Sequence, residues 1–181
     1  MKQYCTVFDD FIESYDYFRS FCDTAQYKDT VNPYDKFTYP GVCMQAPFEV
    51  IQYSLVKAIG HANLIHGALR LSTQGVRAPY HVHADDFMGG QYTVIVYLSR
   101  PDHCQGGTAF MKHKATGHLY GTQGGWEQDE SNREAWTTDF ICPMRSNRAL
   151  IFDSRLLHCA EPMDGFGKDA ADGRLVFVGV F

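Results

Sequence analysis

The sequence predicts an α+β protein, with helices near the N-terminus packed on one side of a β-sandwich or barrel, on three observations. Apolar residues early in the chain recur with a helical period. After Gly60, eight short apolar runs are set apart by Gly, Pro, Asp and Asn. The chain of 181 residues, 45% hydrophobic and 20% charged, has the length of one domain and can bury a sizeable core. Helices first and strands afterwards is the order of an α+β architecture.

Taken in order, Phe8, Phe11, Ile12, Tyr15, Phe18 and Phe21 follow a 3.6-residue period. Residues 8–21 are therefore expected as an amphipathic helix, with Asp9 and Asp10 at the positive end of its dipole. Residues 32–41 contain Pro33, Pro40 and Gly41 and read as a loop, after which Pro47 opens a second helix expected to end near residue 59. Strands are expected at residues 64–72, 78–85, 91–99, 108–112, 140–144, 149–152, 156–160 and 174–181. Residues 113–139 break that rhythm with Gly117, Gly121, Gly124, Gly125, Trp126 and the polar run 127–134. They are expected as a long excursion between strands, either a lid or binding loop or a solvated insertion. The plan is one domain, residues 1–181, with 1–63 as mainly helical support and 64–181 as the β core carrying an insertion near 113–139.

Lys plus Arg total 16 against 21 Asp plus Glu, and this net charge of −5 argues against a protein that grips many nucleic-acid phosphates. The longest stretch without Asp, Glu, Lys or Arg, residues 87–99, is 13 residues long. A membrane-spanning helix needs about 20 apolar residues, so none is expected. Residues 1–10 show no signal-peptide pattern, and Cys5, Cys22, Cys43, Cys104, Cys142 and Cys159 form no CxxC pair. Reduced thiols in a cytoplasmic protein are the simplest expectation.

The densest group of metal-capable side chains is Tyr80-His81-Val82-His83-Ala84-Asp85-Asp86. On a strand, His81, His83 and Asp85 share one face and Asp86 falls on the other, so a histidine and a carboxylate two residues apart can chelate one ion. His158 is the candidate third ligand. Two imidazoles and one carboxylate on one face of an ion, with the remaining positions open, form the site of non-haem Fe(II) oxygenases. His81 and His83 can instead make a His-x-His pair of the cupin type.

An ordered set of short motifs surrounds these residues: His83-Ala84-Asp85; Tyr97-Leu98-Ser99; Gly106-Gly107-Thr108-Ala109-Phe110; Ala149-Leu150-Ile151-Phe152-Asp153; His158 with Pro162; and Gly173-Arg174. In this order they resemble the 2-oxoglutarate-dependent Fe(II) oxygenases, over residues 78–181, with weaker support from Tyr39-Pro40-Gly41. Residues 107–110 and 113–117, with Asn147-Arg148, are similar to an uncharacterised bacterial and phage branch of that superfamily.

The resemblance implies a distorted double-stranded β-helix, jelly-roll or cupin-like, with the N-terminal helices packed on one sheet. It implies Fe(II) on His83, Asp85 and His158, and 2-oxoglutarate as cosubstrate with its tail carboxylate on Arg174 and with Tyr97 as a further contact. A guanidinium suits that carboxylate because its planar fork can donate two parallel hydrogen bonds. A surface pairing of Arg174 with Asp169 or Asp172 is the competing role. The family often carries Ser or Thr two residues beyond the arginine, where Val176 stands, and residues 164–173 lengthen the interval after His158.

The implied reaction is hydroxylation of a substrate C–H bond with release of succinate and CO2. Asp85 stands where a related halogenase binds halide, which favours hydroxylation. Two other readings stay open: a cupin-type metalloenzyme using His81 and His83 without 2-oxoglutarate, and a non-catalytic β-sandwich binding module that recognises its partner through residues 113–139. The expected substrate is a small molecule or a protein side chain, with His81 and Trp126 as candidate contacts. His113 and His118 flank the excursion. Its acids, Glu127, Asp129, Glu130 and Glu134, lean the rim toward a cationic or neutral substrate.

Overall fold

The strands of this chain carry apolar residues on both faces, and the fold gives each face its own cover. The structure is a computed structural model that describes residues 4–33, 36–76 and 82–181. In chain order it comprises β1 (Thr6–Phe8), α1 (Tyr15–Thr24), β2 (Lys28–Val31), β3 (Thr38–Cys43), α2 (Phe48–Ile59), β4 (His66–Ser72), β5 (Tyr92–Tyr97), β6 (Gly107–His113), β7 (Trp136–Pro143), β8 (Arg148–Asp153), β9 (His158–Glu161) and β10 (Arg174–Val180), with short 3-10 turns between. Seven strands form one sheet in the order β1-β8-β5-β10-β4-β3-β2, and three form a second in the order β7-β6-β9. All neighbouring pairs are antiparallel. From β4 onward the chain passes back and forth between the sheets.

Strand parity decides which core a residue joins. Val94, Val96, Ala149, Ile151, Leu175 and Phe177 face outward from the large sheet and are covered by Phe18 and Cys22 of α1 and Ile51 and Leu55 of α2. Their neighbours Ile95, Tyr97, Leu150, Phe152 and Val176 point between the sheets, against Phe110 and Cys142. A third cluster, Ala109, Met111, Leu157 and Cys159, lies on the far side of the small sheet beneath Trp126 and Trp136. Each large aliphatic or aromatic side chain so buried contributes about 1.5–3 kcal/mol. The excursion of residues 113–139 is therefore the cover of the small sheet. His113 is buried there, its ring nitrogens within 2.9 Å of Thr116 Oγ1 and 3.1 Å of Asp129 Oδ2, and His118 Nδ1 donates to the Gly124 carbonyl at 2.9 Å.

The structure differs from the sequence expectation in the first third. The helix expected over 8–21 begins at Tyr15, and Phe8 instead ends a strand paired with Ala149. The cause is tertiary. Ile12 N–H donates to Asn147 Oδ1 at 2.8 Å while Asn147 Nδ2 donates to the Ile12 carbonyl at 3.0 Å. Asp9, rather than serving a helix dipole, takes two hydrogen bonds from the Arg148 guanidinium at 2.7 and 3.1 Å. Phe11, Ile12 and Phe18 still reach the helix-side core, which is why a helical spacing was visible.

The loop expected over 32–41 holds part of a hairpin, β2–β3, that extends the large sheet. Pro40 lies within β3. Gly41 has φ +66°, and a Cβ there would stand 2.0 Å from the Leu71 carbonyl oxygen, so only glycine lets β3 approach β4. Residues 4–63 thus supply three strands as well as two helices. No helix among the described residues is long and apolar enough to cross a membrane.

Candidate metal centre and its pocket

His158 opens β9, and its backbone exchanges two hydrogen bonds with that of His83, N–H to carbonyl at 3.0 and 2.9 Å, an isolated antiparallel bridge. The strand expected over 78–85 is reduced to this bridge within the described residues, since 77–81 lie outside them. The bridge sets the two imidazoles side by side, ring centroids 4.5 Å apart. Asp85 reaches them from a turn rather than by strand alternation. Its N–H donates to the Ser154 carbonyl at 2.7 Å, and it immediately precedes the 3-10 turn Asp86–Met88.

The three side chains converge. One donor atom from each of His83, Asp85 and His158 lies within 4.8 Å of the others. His83 Nε2 is 3.7 Å from Asp85 Oδ1, and His158 Nε2 is 3.4 Å from Asp85 Oδ2. An ion about 2.1 Å from each donor needs neighbouring donors about 3 Å apart, so the set closes around a metal as the three side chains draw together. His158 Nδ1 donates to the Leu156 carbonyl at 2.8 Å, which fixes the tautomer and leaves the Nε2 lone pair toward Asp85. The His158 ring is wedged edge-on against Phe152 at 4.8 Å, and Thr93 Oγ1 donates to Asp85 Oδ2 at 3.0 Å.

Electrostatics favour the ligating protonation states. Burial, reinforced by the neighbouring His158, pushes His83 down to about 4 against the attraction of Asp85, so its imidazole is neutral at pH 7. Burial pushes the Asp85 carboxyl up, but the two histidines and Thr93 outweigh it and hold the group at about 2. His83 Nδ1 is buried without a hydrogen-bond partner.

These residues line a cavity of about 520 Å3 between the sheets and the β2–β3 hairpin. Arg174 reaches the same cavity from the start of β10. Its Nη2 donates to the Gly107 carbonyl at 3.2 Å, its Nε has no acceptor, and no carboxylate lies within ion-pair distance of it among the described residues. The competing surface pairing is not formed. Asp172 instead accepts from the Lys168 and Asp169 backbone amides at 2.6 and 3.1 Å, closing the inserted turn, and β10 keeps its register with both neighbours. The glycine of the Gly106-Gly107 motif has a steric reason: a Cβ at Gly107 would stand 1.9 Å from the Cys142 carbonyl oxygen.

Tyr97 and Trp126 are placed elsewhere. Tyr97 is fully buried, with its hydroxyl 2.8 Å from Thr108 Oγ1 and 3.1 Å from the Cys142 carbonyl, and Thr108 rather than Tyr97 lines the cavity. Trp126 donates through Nε1 to the Gly121 carbonyl at 3.0 Å, packs on Trp136, and borders a second cavity of about 320 Å3 that His83 also lines. His81 lies outside the described residues. None of the four excursion acids lines the larger cavity.

The structure adds a residue that the sequence reading passed over. Arg70 of β4 lines the larger cavity, with its guanidinium carbon 4.9 Å from the centroid of the Tyr39 ring. A signal was present: within the apolar run 66–72, Arg70 has the parity opposite to the buried Leu69.

Two solved structures share this architecture at low sequence identity. The non-heme alpha ketoglutarate dependent carbocyclase SnoK from nogalamycin biosynthesis superposes with a TM-score of 0.53 over 93% of this chain and 74% of its own, at 13% identity. The fold is shared. The non-heme alpha ketoglutarate dependent epimerase SnoN from the same biosynthesis matches with a TM-score of 0.51 over 94% of this chain and 72% of its own, at 14% identity. This mostly β fold with two helices is consistent with the cupin-like type. No protein-family model matches the chain, and no curated protein matches it in sequence.

Proposed function

We propose that this chain is an Fe(II)- and 2-oxoglutarate-dependent dioxygenase on a distorted double-stranded β-helix, of the bacterial and phage branch its motifs resemble, hydroxylating its substrate in the cytoplasm. The observation that carries the reading is the convergence of His83, Asp85 and His158 in a cavity that also holds Arg174 without a carboxylate partner. That SnoK and SnoN, named as alpha ketoglutarate dependent, share the fold supports it. Two imidazoles and a carboxylate that leave the remaining positions open are the ligand set of non-haem Fe(II) oxygenases. When bound, iron with 2-oxoglutarate and dioxygen supplies the oxidising power, one oxygen atom going into succinate and the other into substrate.

The chain's own residues hold and orient. His83, His158 and Asp85 present three donors from one side, His158 fixed by the Leu156 carbonyl and Asp85 by Thr93. Arg174 offers its unpaired donors to the cosubstrate's tail carboxylate. Ile95, Val176, Val178 and Val180 make an apolar wall between these two ends, which excludes water and strengthens each charged contact. Thr108, backed by Tyr97, supplies a hydroxyl beside that wall.

Titrating 2-oxoglutarate into Mn(II)-loaded protein without oxygen, by calorimetry, tests the assignment. Binding should require the metal and weaken at least tenfold in Arg174→Ala. Equal binding without metal and in the variant would contradict it.

A further inference from the structure

We infer that Arg70 binds an anionic group of the substrate, so that the substrate is an oxyanion-bearing molecule, a carboxylate or a phosphate ester, rather than a cation. The inference rests on the function proposed above and names the substrate class of that same site. Arg70 stands directly across from Val176 in the β4–β10 pairing, two residues from the Ser72–Arg174 pair, so both arginines share the face that lines the cavity. Among the described residues that line it, Asp85 is the only carboxylate, and it belongs to the metal-binding set and accepts from Thr93. Two guanidiniums therefore share one cavity, and among the described residues neither has an acidic partner.

Charge balance separates their roles. A divalent ion and Arg174 cancel Asp85 together with a 2-oxoglutarate dianion, and among the described residues that line the cavity Arg70 remains as one positive charge without a counter-charge. Burial lowers its pKa only to about 10, so it stays charged at neutral pH. Arg70 is half-buried, and a substrate anion relieves the cost of withdrawing its charge from water.

Placement points the same way. Arg174 serves the wall formed by β10, whereas Arg70 leans on Tyr39 of β3, toward the part of the cavity bounded by Thr30, Val42 and Met44. Contact with the ring occupies the face of a guanidinium, and its edge is the side that grips an oxyanion with two hydrogen bonds. Its Nε has no acceptor.

The test uses full-length protein loaded with Mn(II) and 2-oxoglutarate without oxygen, titrated with inorganic phosphate, benzoate, benzamide and benzylamine and read by calorimetry and thermal shift. Phosphate and benzoate should bind and stabilise the wild type, and benzamide and benzylamine should bind at least tenfold more weakly than benzoate. Arg70→Gln should weaken both anions at least tenfold while Mn(II) and 2-oxoglutarate affinities stay within threefold, and Arg70→Lys should fall between. A tenfold loss of 2-oxoglutarate affinity in Arg70→Gln, with anion binding unchanged, would assign the guanidinium to the cosubstrate and overturn the inference. Benzamide binding as tightly as benzoate would also overturn it. Failure of wild type to bind 2-oxoglutarate would instead overturn the proposed function. Phosphate binding by the metal-free protein that is lost in Arg70→Gln would still support the role of Arg70.

Discussion

Replacing Thr93 with valine isolates how the carboxylate ligand is held. Thr93 is fully buried, and its Oγ1 donates to Asp85 Oδ2 at 3.0 Å. Valine keeps the branched shape and removes that donor. A hydrogen bond to a charged group contributes about 1.5–3 kcal/mol, so the metal-free variant should lose stability in that range, read as a shift in the urea midpoint. The carboxylate is also freed to rotate between His83 and His158, which stand on its two oxygens at 3.7 and 3.4 Å. Loss of such an orienting partner costs about 10–100-fold in metal affinity. Mn(II) titration followed by electron paramagnetic resonance measures this, with Thr93→Ser as the control that keeps the hydroxyl. Mn(II) affinity within twofold of wild type in Thr93→Val would refute the claim that Asp85 is a pre-oriented ligand.

Other outcomes follow from the same geometry. Tyr97→Phe should destabilise by about 1–2 kcal/mol, because the Cys142 carbonyl and Thr108 lose a buried partner. It should leave 2-oxoglutarate affinity within threefold, and a tenfold loss by calorimetry would put the hydroxyl back in the pocket. Asn147→Ala strands both the N–H and the carbonyl of Ile12 and should cost about 2–4 kcal/mol in urea unfolding; a cost under about 0.5 kcal/mol would contradict the pinning of the N-terminal segment. On acidification the metal-free protein should weaken in two stages. His83 titrates near 4 when folded and near 6.5 when unfolded, so the unfolded chain takes the proton first and stability falls from about pH 6.5 toward 4. Asp85, near 2 folded against about 3.8 unfolded, extends the loss below pH 3.8. A urea midpoint unchanged between pH 7 and 4.5 would contradict this.

The parts of the site legible in the sequence were those set by local spacing or strand parity. His83 and Asp85 are two residues apart, and Arg174 has the inward parity of its strand, so proximity followed from covalent geometry. Yet Asp85 arrives by a turn held on the Ser154 carbonyl, and only tertiary pairing could reveal that. The His83–His158 bridge joins residues 75 positions apart and has no local signature. The N-terminal third was least legible, because Asn147 and Arg148 capture residues 9–12 in a non-helical path and Gly41 lets a proline-containing segment pair as a strand. Tyr97 matches the motif at its strand end, and its hydroxyl lies against Thr108 and the Cys142 carbonyl, a placement that strand parity alone does not reveal. Arg70 was overlooked because one charge in an apolar strand resembles an edge residue until the register places it across from Val176. The acids of the excursion pointed toward a cationic or neutral substrate, but the excursion covers the outside of the small sheet and brings none of them to the larger cavity.

The central claim is that His83, Asp85 and His158 hold an iron that turns over 2-oxoglutarate, and succinate release tests it most directly. With Fe(II) and 2-oxoglutarate, the wild type should release succinate in air and not under nitrogen, and Asp85→Ala should reduce the aerobic rate at least 100-fold. Equal succinate from the two proteins, or release that does not depend on oxygen, would contradict the account.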